Sequence, residues 1–294
     1  MLNGFLQYLQ YEKNYSSHTV LSYSTDINQF FHFLKTDPEH FSPSDVEPVM
    51  VQQWILEMMQ RGMSARSISR KVSALKSFWN YLLKQNLAQV NPTLKIVLPK
   101  TKKPLPVFFK HREVSQVITD PHIPQDNFER VRDVLIVAVF YMTGIRLSEL
   151  INVKESDVDL VAGELRVIGK RNKERIIPLD KLLCEKISAY IDKKEEFVGP
   201  GNSYLFVRTN GMKMYPKLVS NIIRKLMSQV STLPQISPHV LRHSFATALL
   251  DGGADINAVK ELLGHSSLAA TQVYTHTGFE TLHNIYKQAH PRAK

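Results

Sequence analysis

Residues Pro234 to Thr277 read PQISPHVLRHSFATALLDGGADINAVKELLGHSSLAATQVYTHT. Ser237-Pro238 marks a helix start, with serine at the cap and proline in the first turn. His239 and Arg242 are three apart and share a helix face. Leu241, Phe245, Ala248 and Leu249 turn to a neighbouring face, the core side. Gly252 and Gly253 end this helix. Asp255 caps a second one, whose core residues are Ile256, Val259, Leu262 and Leu263. Gly264 terminates it, and His265 follows directly. Ser266 or Ser267 is the cap expected for a last short helix, near whose end Tyr274 falls.

Three chemistries are open to such a group. A metal site is disfavoured: His239 and His243 have helical spacing, but no glutamate follows His239, and Arg242 between them would repel a cation. In a purely structural reading, His, Arg and Tyr merely satisfy one another. The third reading is an anion grip with a nucleophile. Arginine forks onto phosphate oxygens and stays cationic at any relevant pH. Two arginines stabilise charge developing on a pentacoordinate phosphorus without a metal. Histidine shares a proton near neutral pH, tyrosine attacks covalently, and a lysine can protonate the leaving oxygen.

Upstream, the second arginine and the lysine have candidates. In TGIRLSELINV, Gly144 ends an apolar helix spanning residues 128–143, a new helix starts near Ser148, and Arg146 sits at the break. Glu149 is placed to pair with it or orient it. Three short strands follow, near Asp157–Leu160, Glu164–Ile168 and Arg175–Pro178. The segment GKRNK reads as the hairpin turn between the last two, which puts Lys170 at a strand end. Further helices are expected at His111–Thr119, Lys181–Glu195 and Pro216–Val230.

The first 90 residues read as four helices. Leu2–Tyr11 is short. Val20, Tyr23, Ile27, Phe30, Phe31 and Leu34 recur at helical spacing behind a Ser16 or Ser17 cap, and a third helix spans Asp45–Arg61. The fourth starts near Ser64 and carries Ile68, Val72, Leu75, Phe78, Trp79, Leu82 and Leu83. Arg66, Arg70, Lys71 and Lys76 fall off its apolar stripe, as a DNA-facing helix or a solvated basic face would have them.

Then NPTLKIVLPKTKKPLPVFF breaks the helical pattern with Pro92, Pro99, Pro104 and Pro106, a domain boundary. The chain has 294 residues, 37 Lys+Arg against 27 Asp+Glu, and a net charge of +10. Residues 1–90 carry 8 basic and 7 acidic side chains, whereas residues 91–110 carry 5 lysines and no acid. Half of the excess charge thus lies in one connector, which suits a chain crossing a phosphate backbone. Hydrophobic content is 43%, ordinary for a globular protein. No apolar run approaches the roughly 20 residues of a membrane span, and the N-terminus lacks a signal-peptide pattern. The lone Cys184 cannot form an intrachain disulfide, which fits a reducing compartment.

Taken together, Arg146 in TGIRLSEL, Lys170 in VIGKRNKERIIPL, His239 and Arg242 in SPHVLRHSFAT, His265 in LLGHSS and Tyr274 in TQVYTH resemble the tyrosine recombinase (phage integrase) family, and within it the Xer recombinases. The spacings fit: 24 residues from Arg146 to Lys170, 3 from His239 to Arg242, 23 to His265 and 9 to Tyr274. The resemblance covers nearly the whole chain.

It implies a mainly α fold. Residues 1–90 would form a four-helix DNA-clamp domain of the SAM-like core-binding type, and residues 91–107 a basic linker. Residues 108–294 would form an α-rich catalytic domain with a small three-stranded antiparallel sheet and a C-terminal interaction tail. It implies that Tyr274 attacks a scissile phosphodiester, leaving a 3′-phosphotyrosine and a 5′-hydroxyl. Arg146 and Arg242 hold the phosphate oxygens, Lys170 is general acid, His239 accepts the tyrosine proton, and His265 donates a further hydrogen bond. No metal, ATP or other cofactor is implied.

The implied partners are a duplex recombination site, other protomers (self or paralogue) in a tetrameric synapse, and a DNA translocase as activator, with no membrane. The implied setting is cytoplasmic and nucleoid-associated, and the implied task is resolving chromosome dimers at a dif-like site. In the tail, Leu282, Ile285 and Tyr286 would line one side of a helix docking in a neighbour, so that assembly governs the nucleophile. The rivals are a mobile-element integrase, for whose extra arm-binding domain the chain is short, a type IB topoisomerase-like relaxer, and a DNA-binding protein without catalysis.

Overall fold

A computed structural model of the chain describes residues 1–99, 107–120, 127–169 and 174–264. Outside them lie residues 100–106 of the linker, Lys170 with its turn, and everything from His265 on, including Tyr274 and the tail. The chain divides into two compact units, Met1–Pro104 and Leu105–Lys294.

In the first unit, α1 (Leu2–Gln7) continues into a π-helical turn over Tyr8–Glu12, followed by α2 (Ser17–Phe33), α3 (Pro48–Gln60) and α4 (Ala65–Lys84). Ser16 and Ser64 are the caps of α2 and α4, and each hydroxyl accepts a backbone N–H three residues on. The four helical segments close on an aromatic core. Phe30 meets Trp54 edge-on at 5.0 Å and Phe31 meets Phe41 at 4.6 Å, with Phe78 and Trp79 of α4 beneath them. Each such side chain, fully buried, contributes about 1.5–3 kcal/mol.

The basic face of α4 is smaller than its sequence suggests. Lys71, expected off the apolar stripe, is only 5% exposed. Its ammonium bonds Asp26 of α2 at 2.8 Å and also Gln29. Asp26 is 1% exposed and accepts from Arg70 as well, whose guanidinium also reaches Ser22. The physical reason is that buried Asp26 needs cations, and α4 supplies two. Arg66 and Lys76 are exposed.

The second unit runs α5 (His111–Ile118), α6 (Phe128–Thr143), α7 (Leu147–Asn152), β1 (Val158–Asp159), β2 (Glu164–Ile168), β3 (Glu174–Pro178), α8 (Lys181–Val198), α9 (Pro216–Met227), α10 (Pro238–Asp251) and α11 (Ile256–Leu262). From Val134 to Thr143, α6 is buried all round, as befits a central helix. It packs against α5, α8, α9 and α10. The three strands form one antiparallel sheet in the order β1-β2-β3, with Leu165 opposite Ile177 and Val167 opposite Arg175. No described helix is long and apolar enough to cross a membrane.

Candidate active site

Two chain breaks build the site. The first follows α6. Gly144 ends that helix in the left-handed region at φ 60°, with its N–H on the Phe140 carbonyl. A Cβ there would lie 2.3 Å from Phe245 Cδ1 and 2.9 Å from Leu263 Cδ2. Only glycine meets both demands. The chain then turns into α7 with Arg146 at the cap position. Glu149 receives the Arg146 backbone N–H at 2.7 Å and the Arg146 side chain at 2.8 Å.

The second break is the end of α11. Asp255 starts that helix by accepting the N–H groups of Asn257 and Ala258. Its last carbonyls point at arginines. Arg175 Nε donates to Leu262 O at 3.0 Å, Arg242 Nη2 to Leu263 O at 2.5 Å, and Arg146 Nη2 to Gly264 O at 2.7 Å. Three successive carbonyls thus each take a different guanidinium, at the helix end where partial negative charge gathers. Arg242 also donates to Gly144 O, which ties the two breaks together.

The electrostatics follow from a count. Three guanidiniums face one carboxylate, so the cluster holds an excess of positive charge. Glu149 is 4% exposed. Burial pushes its carboxyl up, but the Arg175 guanidinium, bonded to both oxygens at 2.6 and 2.8 Å, and the Arg146 contacts outweigh burial and hold it at about 2. Arg242, 9% exposed, is pulled down to about 10 by burial and by the charges of Arg146 and Arg175. It remains protonated at neutral pH. Arg146 is the more open of the two, and its Nε–H has no acceptor among the described residues. Such a cluster favours an anion beside it.

Of the six expected site residues, Arg146 and Arg242 meet at this junction. His239 lies one turn before Arg242 on α10, exposed. Lys170, His265 and Tyr274 lie outside the described residues. Lys170 precedes β3 by four residues and His265 follows Gly264 directly. The pairing of Glu149 with Arg146 follows the spacing, but Glu149 is buried and Arg146 half-buried, so the pair is not a surface bridge. Arg175 was missed. Its signal was faint: it alternates with Ile177 on the inward face of β3, where an arginine needs a buried acid. Ser237 also departs from expectation. Helix α10 does begin at Pro238, but the Ser237 hydroxyl is buried with no hydrogen-bond partner among the described residues and does not cap the helix. Its backbone is extended at φ −159°, whereas the capping serines 16 and 64 sit at −63° and −65°.

Comparison with known proteins gives consistent findings. The family model "Phage integrase family" matches residues 108–281, and "Phage integrase, N-terminal SAM-like domain" matches residues 2–86. A tyrosine recombinase XerC of Chlorobaculum parvum is 37% identical over 317 residues, covering 99% of this chain and 94% of the relative. A tyrosine recombinase XerC of Bacillus pumilus is 36% identical, covering 100% and 97%. Among solved structures, XerH site-specific recombinase bound to a palindromic difH substrate, a post-cleavage complex, aligns with TM-score 0.70 at 21% identity, covering 97% of this chain and 83% of that one. That likeness bears on the fold.

Proposed function

Because the chain belongs to the phage integrase family and is an XerC-like site-specific tyrosine recombinase, which cleaves and rejoins DNA, we propose how its residues divide that work and which DNA they serve. Arg146 and Arg242 hold the non-bridging oxygens of the scissile phosphate. Tyr274 Oη attacks the phosphorus, forming the Oη–P bond as the P–O5′ bond breaks. The tyrosine proton passes to His239, Lys170 gives a proton to the departing 5′-oxygen, and His265 donates to the phosphate. A 5′-hydroxyl from a second duplex reverses the step. Bond replaces bond of similar kind, so no external energy source enters.

The observation that carries this reading is the convergence of Arg146 and Arg242 on one glycine-hinged junction, with more positive charge than its carboxylate cancels. A developing phosphorane needs such preorganised cations. Arg66, Arg70 and Lys76 are proposed DNA-backbone contacts of the first unit. Lys71 stays with them only as a support, since Asp26 holds it.

The substrate we assign is a dif-like chromosomal site, where the protein resolves chromosome dimers in the cytoplasm, on the nucleoid. It works in a four-protomer synapse with copies of itself or a paralogue, under a DNA translocase, the tail after Thr277 docking in a neighbour. The XerC relatives support this choice.

The test is covalent capture. A duplex selected from a randomised library by capture on the wild type is nicked near the cleavage point and incubated with protein. An adduct that survives denaturant is expected from wild type and not from Tyr274→Phe. Arg146→Ala and Arg242→Ala lower its rate on the order of 10²-fold or more. An adduct with Tyr274→Phe, or none with wild type, would overturn the roles. Junction sequences lying in a mobile element would overturn the chromosomal substrate.

A further inference from the structure

We infer that Arg175 is a positioning residue for cleavage, keeping Arg146 available to the scissile phosphate by pairing with both oxygens of Glu149, so that Arg146 meets that carboxylate through one terminal nitrogen only; this rests on the role proposed for Arg146 above. Arg175 is 5% exposed and sits on the inward face of β3, opposite Val167. Its guanidinium spends three donors on two elements: Nη1 and Nη2 on the two Glu149 oxygens, and Nε on the Leu262 carbonyl. The fork is therefore locked in both position and plane.

The consequence is a matter of charge and competition. Glu149 Oε1 is shared, with Arg175 at 2.6 Å and Arg146 at 2.8 Å. With Arg175 in place, the carboxylate is already paired on both oxygens, and Arg146 bonds it through a single terminal nitrogen. Its second terminal nitrogen rests on the Gly264 carbonyl. Without Arg175, Glu149 would be a buried carboxylate with one cation in reach. Arg146 would be drawn onto it as a two-pronged pair, and its charge would be spent inside the protein. The third contact adds position. Leu262 O is three residues before His265, and Arg175 is five after Lys170. Gly264 lies against the same side chain, since a Cβ there would sit 3.3 Å from Arg175 Cδ and Nη1.

A merely structural arginine would affect every substrate alike. A residue that keeps a cation free for the phosphate would not. The discriminating probe is the captured duplex with its scissile phosphate replaced by a methylphosphonate, which carries no negative charge. Wild type, Arg175→Ala and Arg175→Lys are compared on both duplexes by single-turnover release of the 5′-hydroxyl strand. On phosphate, Arg175→Ala should be slower by roughly 10²-fold, whereas on methylphosphonate its deficit should shrink to under about tenfold. Arg175→Lys should show the same pattern at smaller size, because an ammonium cannot bridge both Glu149 oxygens and Leu262.

The phosphate-to-methylphosphonate ratio is read within each variant, so loss of folded protein cancels. An unchanged ratio in both variants, whether activity is lost or kept, overturns the inference. Wild type that releases no strand from either duplex overturns the reading of the site itself, which separates the two failures.

Discussion

Glu149 should be visible in the acid stability of the protein. Burial alone would raise its carboxyl; Arg175 and Arg146 prevail and lower it from an ordinary 4.5 to about 2. A depressed carboxylate contributes stability that is fully present above its unfolded value and is lost as pH falls through its folded one. The window is therefore pH 4.5 down to 2, and the contribution is about 3 kcal/mol. Urea midpoints measured from pH 5 to pH 2 should fall in wild type, and Glu149→Gln should lose that part of the slope. Equal slopes would show that the carboxylate is not held as described. At this scale the sequence was half legible. Arg146 and Glu149 are three apart and announce each other, and Gly144 announces a helix end. Arg175 is 26 residues from Glu149, and nothing local says that β3 folds against α7. Long-range pairing of charges depends on the tertiary fold, which a one-dimensional pattern does not carry.

Between elements, the ion cluster joining α2 to α4 is the most exposed to test. Asp26 neutralises Lys71 in the dry interior of the first unit. Asp26→Asn leaves that ammonium buried with only a neutral partner, a change worth about 3–5 kcal/mol, while replacing both residues by leucine should cost much less. The readout is convenient. The chain has 2 tryptophans, Trp54 and Trp79, both in the first unit, so fluorescence during urea unfolding follows that unit alone. A single substitution that leaves the midpoint in place would refute the account. Most element boundaries were legible because apolar period, serine caps and glycine stops agree, as for α4 behind Ser64. The exceptions have local causes. Tyr8–Glu12 widens into a π turn that no periodicity marks, and Ser237 has the right residue type at a backbone angle that withholds its hydroxyl.

Over the whole molecule, charge is distributed unevenly, and DNA affinity should reflect it. Residues 91–110 hold 5 lysines and no acid. Replacing Lys100, Lys102 and Lys103 by glutamine should reduce the slope of log affinity against log salt by up to about 3, at about 0.9 per phosphate contact, and by the same amount on any duplex. Filter binding at several salt concentrations measures it; an unaltered slope would mean that these lysines touch no backbone. The carbonyl grip at the end of α11 has a consequence of another kind. Gly264 is the last described residue that the arginines hold, and Tyr274 is ten residues further on in the sequence. A leash of that length reaches at most about 35 Å, well beyond the roughly 13 Å radius of a 100-residue domain. The proposed nucleophile therefore lies, along whatever path the chain takes, inside a sphere of that reach about the junction, where one side chain amounts to an effective concentration on the order of millimolar. Covalent connection alone therefore brings Tyr274 within reach of any phosphate that Arg146 and Arg242 would hold.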